Sequence, residues 1–363
     1  MPEQPLTQNA VYSAIPTIQI DGQANDKVTA QLLSMQMTEQ EAGMSSLELR
    51  FSNFGSFSTG LADLVFEDGA VLKLGAEVKV FAGEVSTPTE IFRGKITGLE
   101  GRFPMSGPPD LVVLAEDALQ GARMMRRTKN WDSASLSDIA RQVASNNGLT
   151  PVLDGLDTSI GDQQQNNESD LHFLRRLLAR YDADLQIVGA ELHASPRSQA
   201  QRNQIEIDLN SQLKQVRVIA DLSHQVSQVT AAGWDYQQGQ AINATSQTTS
   251  FGPGSGQSGS QLLLQALSWR SEHLGQFSSM NQQEMQALVD AEYAQRTRTF
   301  VVANGVAEGN PNLRIGSYLK LNGLGPRFSN TYYTTSTVHR FDTQGGYETR
   351  FRAECAYLGG SSS

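Results

Sequence analysis

Polar and apolar residues alternate with period two along much of this chain, most densely over residues 309–351, GNPNLRIGSYLKLNGLGPRFSNTYYTTSTVHRFDTQGGYETRF. Tyr318, Lys320 and Asn322 alternate with Leu319 and Leu321, and Thr334, Ser336, Val338 and Arg340 alternate with Thr335, Thr337, His339 and Phe341. Such runs, rich in Tyr, Thr, Val and Phe and punctuated by Gly and Pro, predict half-buried strands joined by tight turns. Gly345-Gly346 predicts a hairpin turn with positive φ at both positions, and residues 347–357 predict the returning strand. The region reads as a barrel being closed, not as a catalytic pocket.

The same period governs residues 17–116, where strands are expected near 17–20, 28–37, 46–52, 78–82, 92–99 and 111–115. Asp21-Gly22, Asp68-Gly69, Ala82-Gly83 and the run Ser106-Gly107-Pro108-Pro109 separate them, as an antiparallel first domain requires. After Asp117 the period becomes helical. Leu136, Ile139, Ala140 and Val143 share a face, with Ser135 and Asp138 as a capping-box variant and Gly148 as the stop. A second helix places Leu171, Leu174, Leu177 and Leu178 in one stripe behind a cap at Ser169 or Asp170. With a hairpin at 183–194 turning on Gly189, residues 118–196 read as a small α+β module.

Strand character returns at 205–209, 216–220, 225–234 and 297–302. The Gln, Ser, Thr and Gly-rich stretch 237–260 reads as a mobile loop or insertion, followed by helices expected at 262–269 and 282–296.

Composition narrows the functional classes. A chain of 363 residues is long enough for two or three domains, and 39% apolar residues with no unbroken run of about 18 to 20 give no membrane span. The start MPEQPLTQNAVYSAIP has neither a basic end nor an apolar core, so no signal peptide is expected. A formal charge of −10 speaks against a nucleic-acid scaffold, and the short basic cluster Arg123, Arg126, Arg127 and Lys129 reads as a solvated face. Cys355 stands alone in an alternating strand, which makes it a small buried side chain rather than a nucleophile.

Catalytic motifs gain no support. Gly254, Gly256 and Gly259 satisfy GxGxxG, but a polar, flexible segment precedes them where a dinucleotide turn needs a buried strand. His172, His193, His224, His273 and His339 are too dispersed for a short-spaced metal cluster, and no GxSxG elbow occurs. Carboxylate pairs such as Asp182 with Asp184, or Asp63 with Asp68, lie in turn-like or helix-end contexts where solvation explains them. His339, beside Val338, Phe341 and the Tyr332-Tyr333 pair, reads as a strand histidine hydrogen-bonded to a neighbouring strand. No cofactor or metal is expected.

Four stretches in order carry a resemblance. The first is Phe92-Arg93-Gly94-Lys95-Ile96, similar to an FxGxI signature. The second, with Gln165, Ser169, Asp170, Phe173 and Leu174, is similar to Q-x-x-x-S-D-x-x-F-L; the third is residues 229–235, containing Trp234. The fourth joins Gly309, Pro311, Gly316, Gly323, Tyr333, His339, Gly346, Tyr347 and Thr349. Together they resemble the phage late-control D family of tail proteins, related to the N-terminal hub part of VgrG spikes. These are structural motifs, and no catalytic residue comes with them.

The resemblance implies a mainly β fold with an α+β insert: two related antiparallel β-barrel domains joined by a small α/β, LysM-like module. The expected divisions are an N-terminal arm 1–16, a first barrel 17–117, the module 118–196, a second barrel 197–240 and 296–358, a flexible loop plus helical insertion 241–295, and a tail 359–363. It further implies a non-enzymatic baseplate hub in a contractile tail or injection particle, assembled in the bacterial cytoplasm. The hub would be a homotrimer binding a hexameric tail tube protein on one face and a trimeric spike on the other, without nucleic-acid binding or membrane insertion. Because only GGSSS follows Leu358, the spike would be a separate protein. The alternative in view is a peptidoglycan-binding or wall-degrading tail protein, prompted by the LysM-like hint.

Overall fold

A computed structural model of the chain describes residues 12–41, 43–56, 62–236, 238–247, 251–278 and 281–359. Most of the arm 1–16 and most of the tail 359–363 lie outside the described residues. The fold is mainly antiparallel β, and its centre is a 13-stranded sheet.

In the first half of that sheet the neighbours run Tyr12–Ile20, Glu77–Glu84, Thr89–Arg102, Asp110–Glu116, Ser46–Ser52 and Leu32–Gln40. Alternation turns Ile18, Val78, Ile91, Val113, Leu49 and Met35 onto one side, where they share a single core with Phe51 and Met37. The sheet curls until its first strand touches Asn330–Asp342 and Gly346–Cys355, the strands beyond its last, so it wraps its core as a barrel does. In the second half Gln204–Asp208 lies parallel to Tyr318–Asn322, followed by Asn330–Asp342, Gly346–Cys355, Val301–Glu308 and Leu213–Ala220. A bridge between Leu209 and Leu213 brings the two ends of this set together around Ile207, Leu319, Leu321, Tyr332, Phe351 and Ala353.

One strand joins the halves. Asn330–Asp342 is 13 residues long and pairs with Gly346–Cys355 from Tyr333 to Asp342. On its other edge it pairs first with Tyr318–Asn322, through residues 330–333, and then with Leu32–Gln40, from Ser336↔Gln40 to Asp342↔Ser34. A register shift between Thr334 and Ser336 marks the change of partner, which is where an extra residue re-aims a strand.

The middle of the chain builds its own core from the helices Leu136–Asn146 and Asp170–Arg180 on a three-stranded sheet, Thr150–Leu153, Glu191–Pro196 and Ala183–Val188. Ser135 and Asp138 form the capping box, and Ser169 accepts the His172 N–H. The strand pair Arg126–Trp131 and Gln163–Ser169 had no clear alternation in the sequence.

Several expectations are corrected. Residues 28–37 are not one strand: Asn25 accepts the Val28 N–H and starts the helix Asp26–Gln31, and the strand begins at Leu32. Gln228–Asp235 does not join the second barrel; it pairs with Gln240–Ser246 and Ser271–Ser278 in a separate sheet covered by the helix Gln282–Arg298. The stretch read as a mobile loop therefore contains a strand, whose buried Ile242, Ala244 and Ser246 alternate with exposed residues. The helix expected at 262–269 is Gly259–Ala266, started earlier by a Ser258–Gln261 capping box. At the last hairpin only Gly346 takes positive φ, because the Asp342 carboxylate holds the turn by accepting the Gln344 and Gly345 N–H groups.

Candidate functional site

The stripe Met35, Met37 on Leu32–Gln40 continues inward to Glu39, so a core-facing position holds a carboxylate just where the first barrel meets the rest of the molecule. Glu39 is 1% exposed. It accepts Arg314 Nε at 2.7 Å and a second Arg314 nitrogen, Thr337 Oγ1 at 3.0 Å and the Ile315 N–H at 3.4 Å, with Arg202 at 3.8 Å. Burial alone would raise this carboxyl, but the charge and bonds of Arg314, aided by Arg202 and His339, outweigh it and hold it at about 2.

A second set of pairs lies beside the first. Arg197, 1% exposed, bonds Glu41 and reaches Glu354 at 3.0 Å while its guanidinium covers the Tyr333 ring. Arg298 forks onto Asp182, which sits at φ +50°, and lies 3.5 Å from Glu354. Tyr333 donates to Asp184 at 3.0 Å, and Gln186 donates to the same carboxylate. Carboxylates of the first barrel, acids of the middle module with Arg197 just past its end, and Glu354 and arginines of the last third thus form one buried ionic junction.

A cavity of about 340 Å³ opens at this junction, lined among others by Glu90, Phe92, Arg93, Asp117, Arg202 and Arg314. Arg93 is paired with Glu90 at 2.7 Å and Arg314 with Glu39. Burial lifts the Asp117 carboxyl to about 6 even though it accepts the Ser45 and Leu119 N–H groups. Among the described residues no three His, Cys, Asp or Glu are grouped to hold a metal. The chemistry on view is mutual neutralisation, which fixes three parts of the chain against one another.

Most of the motif residues surround this frame. Phe92 and Ile96 fill the first core, and at Gly94 a Cβ would lie 2.1 Å from the Glu116 carbonyl oxygen, so only glycine lets the strands close. Pro311 packs against Gly83, and Gly316, at φ +79°, leaves room for Gln186. His339 is fully buried, with Nδ1 2.7 Å from the Tyr347 hydroxyl and 3.4 Å from Thr349 Oγ1 on the adjacent strand. Burial, reinforced by Arg314, pushes its imidazole down to about 3. Thr349 Oγ1 also accepts the Asn310 N–H, tying the 309–317 turns to the strand.

Other motif residues stand apart. Gln165 donates to Asp170 and to the Glu168 carbonyl, organising the start of the second helix together with Ser169, while Phe173 and Leu174 fill the module core. Gly323, at φ +77°, packs against Leu209 at the end of the parallel pair. Trp234 is 45% exposed on the separate small sheet, and Gly346 lies in the last turn. Glu39, Glu41, Arg197, Arg298, Arg314 and Glu354 escaped the sequence reading. The available signal was a charged residue at an inward position, as at Glu39 after Met35 and Met37.

A family model described as the Alg8 N-terminal domain matches residues 13–343, and the chain belongs to that family. No curated protein matches it. Solved structures share its fold. The 43 kDa tail protein of prophage MuSo2 from Shewanella oneidensis is 12% identical, with 93% of this chain and 97% of that one covered at a TM-score of 0.70. A tail protein from Neisseria meningitidis MC58 is 10% identical, with 94% and 96% covered at 0.66. The E. coli c3393 protein, a component of the type VI secretion system described as similar to the T4 tail proteins gp27 and gp5, is 11% identical, with 95% and 79% covered at 0.56. No helix among the described residues is long and apolar enough to cross a membrane.

Proposed function

We propose that this chain is a structural baseplate hub of the late-control D kind, a homotrimer placed between a hexameric tail tube and a trimeric spike. The observation that carries this reading is the single sheet running through both barrels across the Leu32–Gln40 and Asn330–Asp342 pair. Three chains would supply six barrels in one ring, able to face sixfold symmetry on one side and threefold symmetry on the other. The buried ionic junction supports it, because a part that transmits axial force must keep its two barrels from rotating against each other. Fold kinship with tail proteins over nearly their whole length supports it as well. The motif residues act in this reading as scaffold, and the chain performs no catalysis of its own.

The test is the mass of the purified protein in solution, followed by binding to the tube and spike proteins encoded beside it. A species of three times the 39.5 kDa chain that captures both partners is expected. A chain that stays monomeric at high concentration and binds neither partner removes the hypothesis.

A further inference from the structure

Two arginines of the basic run read from the sequence as a solvated face, Arg123 and Arg126, line a pocket. Between the short helix Gln120–Met124, the strand pair Arg126–Trp131 and Gln163–Ser169, and the start of the helix Asp170–Arg180 lies a cavity of about 430 Å³, with Arg123, Arg126, Glu168, His172 and Arg175 in its wall. The neighbouring charges are unevenly paired. Arg123 is held by Glu116 at 2.7 Å, Arg127 by Asp170 at 3.0 Å, and Arg176 takes up Glu168 at 3.1 Å. Among the described residues Arg126 has only the Asn167 carbonyl oxygen at 3.1 Å. Arg175 has no carboxylate partner among the described residues, and its Nε is buried without an acceptor. Two guanidiniums therefore face one cavity without a carboxylate in ion-pair contact, Arg175 sensing only the more distant charge of Asp117.

The chain between Arg123 and Arg126, two of the lining residues, adds a second property. Met124 and Met125, which separate Arg123 from Arg126 in sequence, are 63% and 60% exposed. Paired exposed methionines make an adaptable apolar surface, and next in the chain to arginines without an ion-pair partner they fit a ligand that carries both an acid and an apolar group. A free inorganic anion would satisfy the arginines and leave the methionines in water.

We propose that this pocket and the exposed methionines between Arg123 and Arg126 dock an acidic segment of a separate polypeptide, with a carboxylate entering the cavity shared by Arg126 and Arg175 and an apolar neighbour covering Met124 and Met125. The site specifies what kind of surface a partner must present.

The experiment uses the full chain and a fluorescent peptide of alternating Glu and Leu, with its Gln and Leu counterpart and inorganic phosphate as comparison probes. Saturable binding of the acidic peptide is expected, roughly tenfold weaker for the neutral one and weakened by added salt. Arg126→Gln and Arg175→Gln should each weaken it several-fold, and Met124→Ser with Met125→Ser should weaken it again. If Arg175→Gln fails to fold, Arg126→Gln decides, because it gives up only a bond to a surface carbonyl. Equal affinity for both peptides would overturn the proposal in favour of unspecific apolar contact. Phosphate binding that ignores the methionines would reduce the pocket to a free-anion site. Self-association abolished by Arg126→Gln, without peptide binding, would assign it to a second copy of the chain.

Discussion

Replacing Glu39 by Gln keeps the volume of the side chain and removes one charge from the junction. In the native chain that carboxylate answers Arg314, whose side chain is 7% exposed, and lies 3.8 Å from Arg202. After the change both guanidiniums stay buried without it, and breaking a buried pair from one side costs about 3–5 kcal/mol. The amide oxygen still accepts one bond from Arg314, so a loss near about 3 kcal/mol is expected. At about 2–4 °C per kcal/mol for a unit of this size, the melting midpoint should fall by about 6–12 °C. Since Glu39 sits where two barrels and the middle module meet, calorimetry should also show one heat-absorption peak separating into two. Glu39→Leu combined with Arg314→Leu should recover only part of the loss, because Arg202 remains buried without its acid. An E39Q protein that melts in a single peak within about 1 °C of the native chain would refute this account of the junction.

Three further outcomes follow from the geometry. His339 has a folded pKa of about 3, below its ordinary 6.5, so the unfolded chain binds the extra proton between those values and stability falls as pH drops through that window. Glu39 pulls in the same direction, its contribution complete above 4.5 and lost as pH falls toward about 2; melting scans of His339→Gln should flatten only the upper part of the decline. Gly316→Ala places a Cβ 2.0 Å from Gln186 at φ +79° and should cost more than about 2 kcal/mol by denaturant titration, whereas Gly69→Ala, at φ +61° with open space around it, should cost about 1 kcal/mol. Cys355 is 2% exposed and its thiol is pushed up to about 12, so a thiol-reactive dye should label it only at the rate of unfolding.

Local signals in the sequence carried local structure. The capped helices after Ser135 and Ser169 and the alternating strands of the closing region are visible because each rests on residues a few positions apart. The third sheet was hidden for the opposite reason. Gln228–Asp235 looks the same whether it pairs with the barrel or with Gln240–Ser246, and the polar composition of 237–260 masks an alternation that emerges only when Ile242 and Ala244 meet Val289 and Tyr293. The junction was hidden most deeply. Arg197 and Glu41, or Arg298 and Asp182, are over a hundred residues apart, and no spacing rule links them. His339 was legible as a scaffold residue but not as a neighbour of Arg314, which enters from a turn marked only by Gly309, Pro311 and Gly316.

The pairing of Leu32–Gln40 with Asn330–Asp342 also sets an order of events in time. Ser336 bonds the Glu39 carbonyl across 297 residues of chain. At a synthesis rate of about 5–20 residues per second, an edge completed early must wait about 15–60 s for its partner to leave the ribosome. Throughout that interval the backbone of Leu32–Gln40 is an open template for any other strand, including the same segment of a neighbouring nascent chain. Slow, topologically distant pairing of this kind exposes a chain to misassembly, so the yield of correctly joined molecules should depend on temperature and expression rate more steeply than their final stability does.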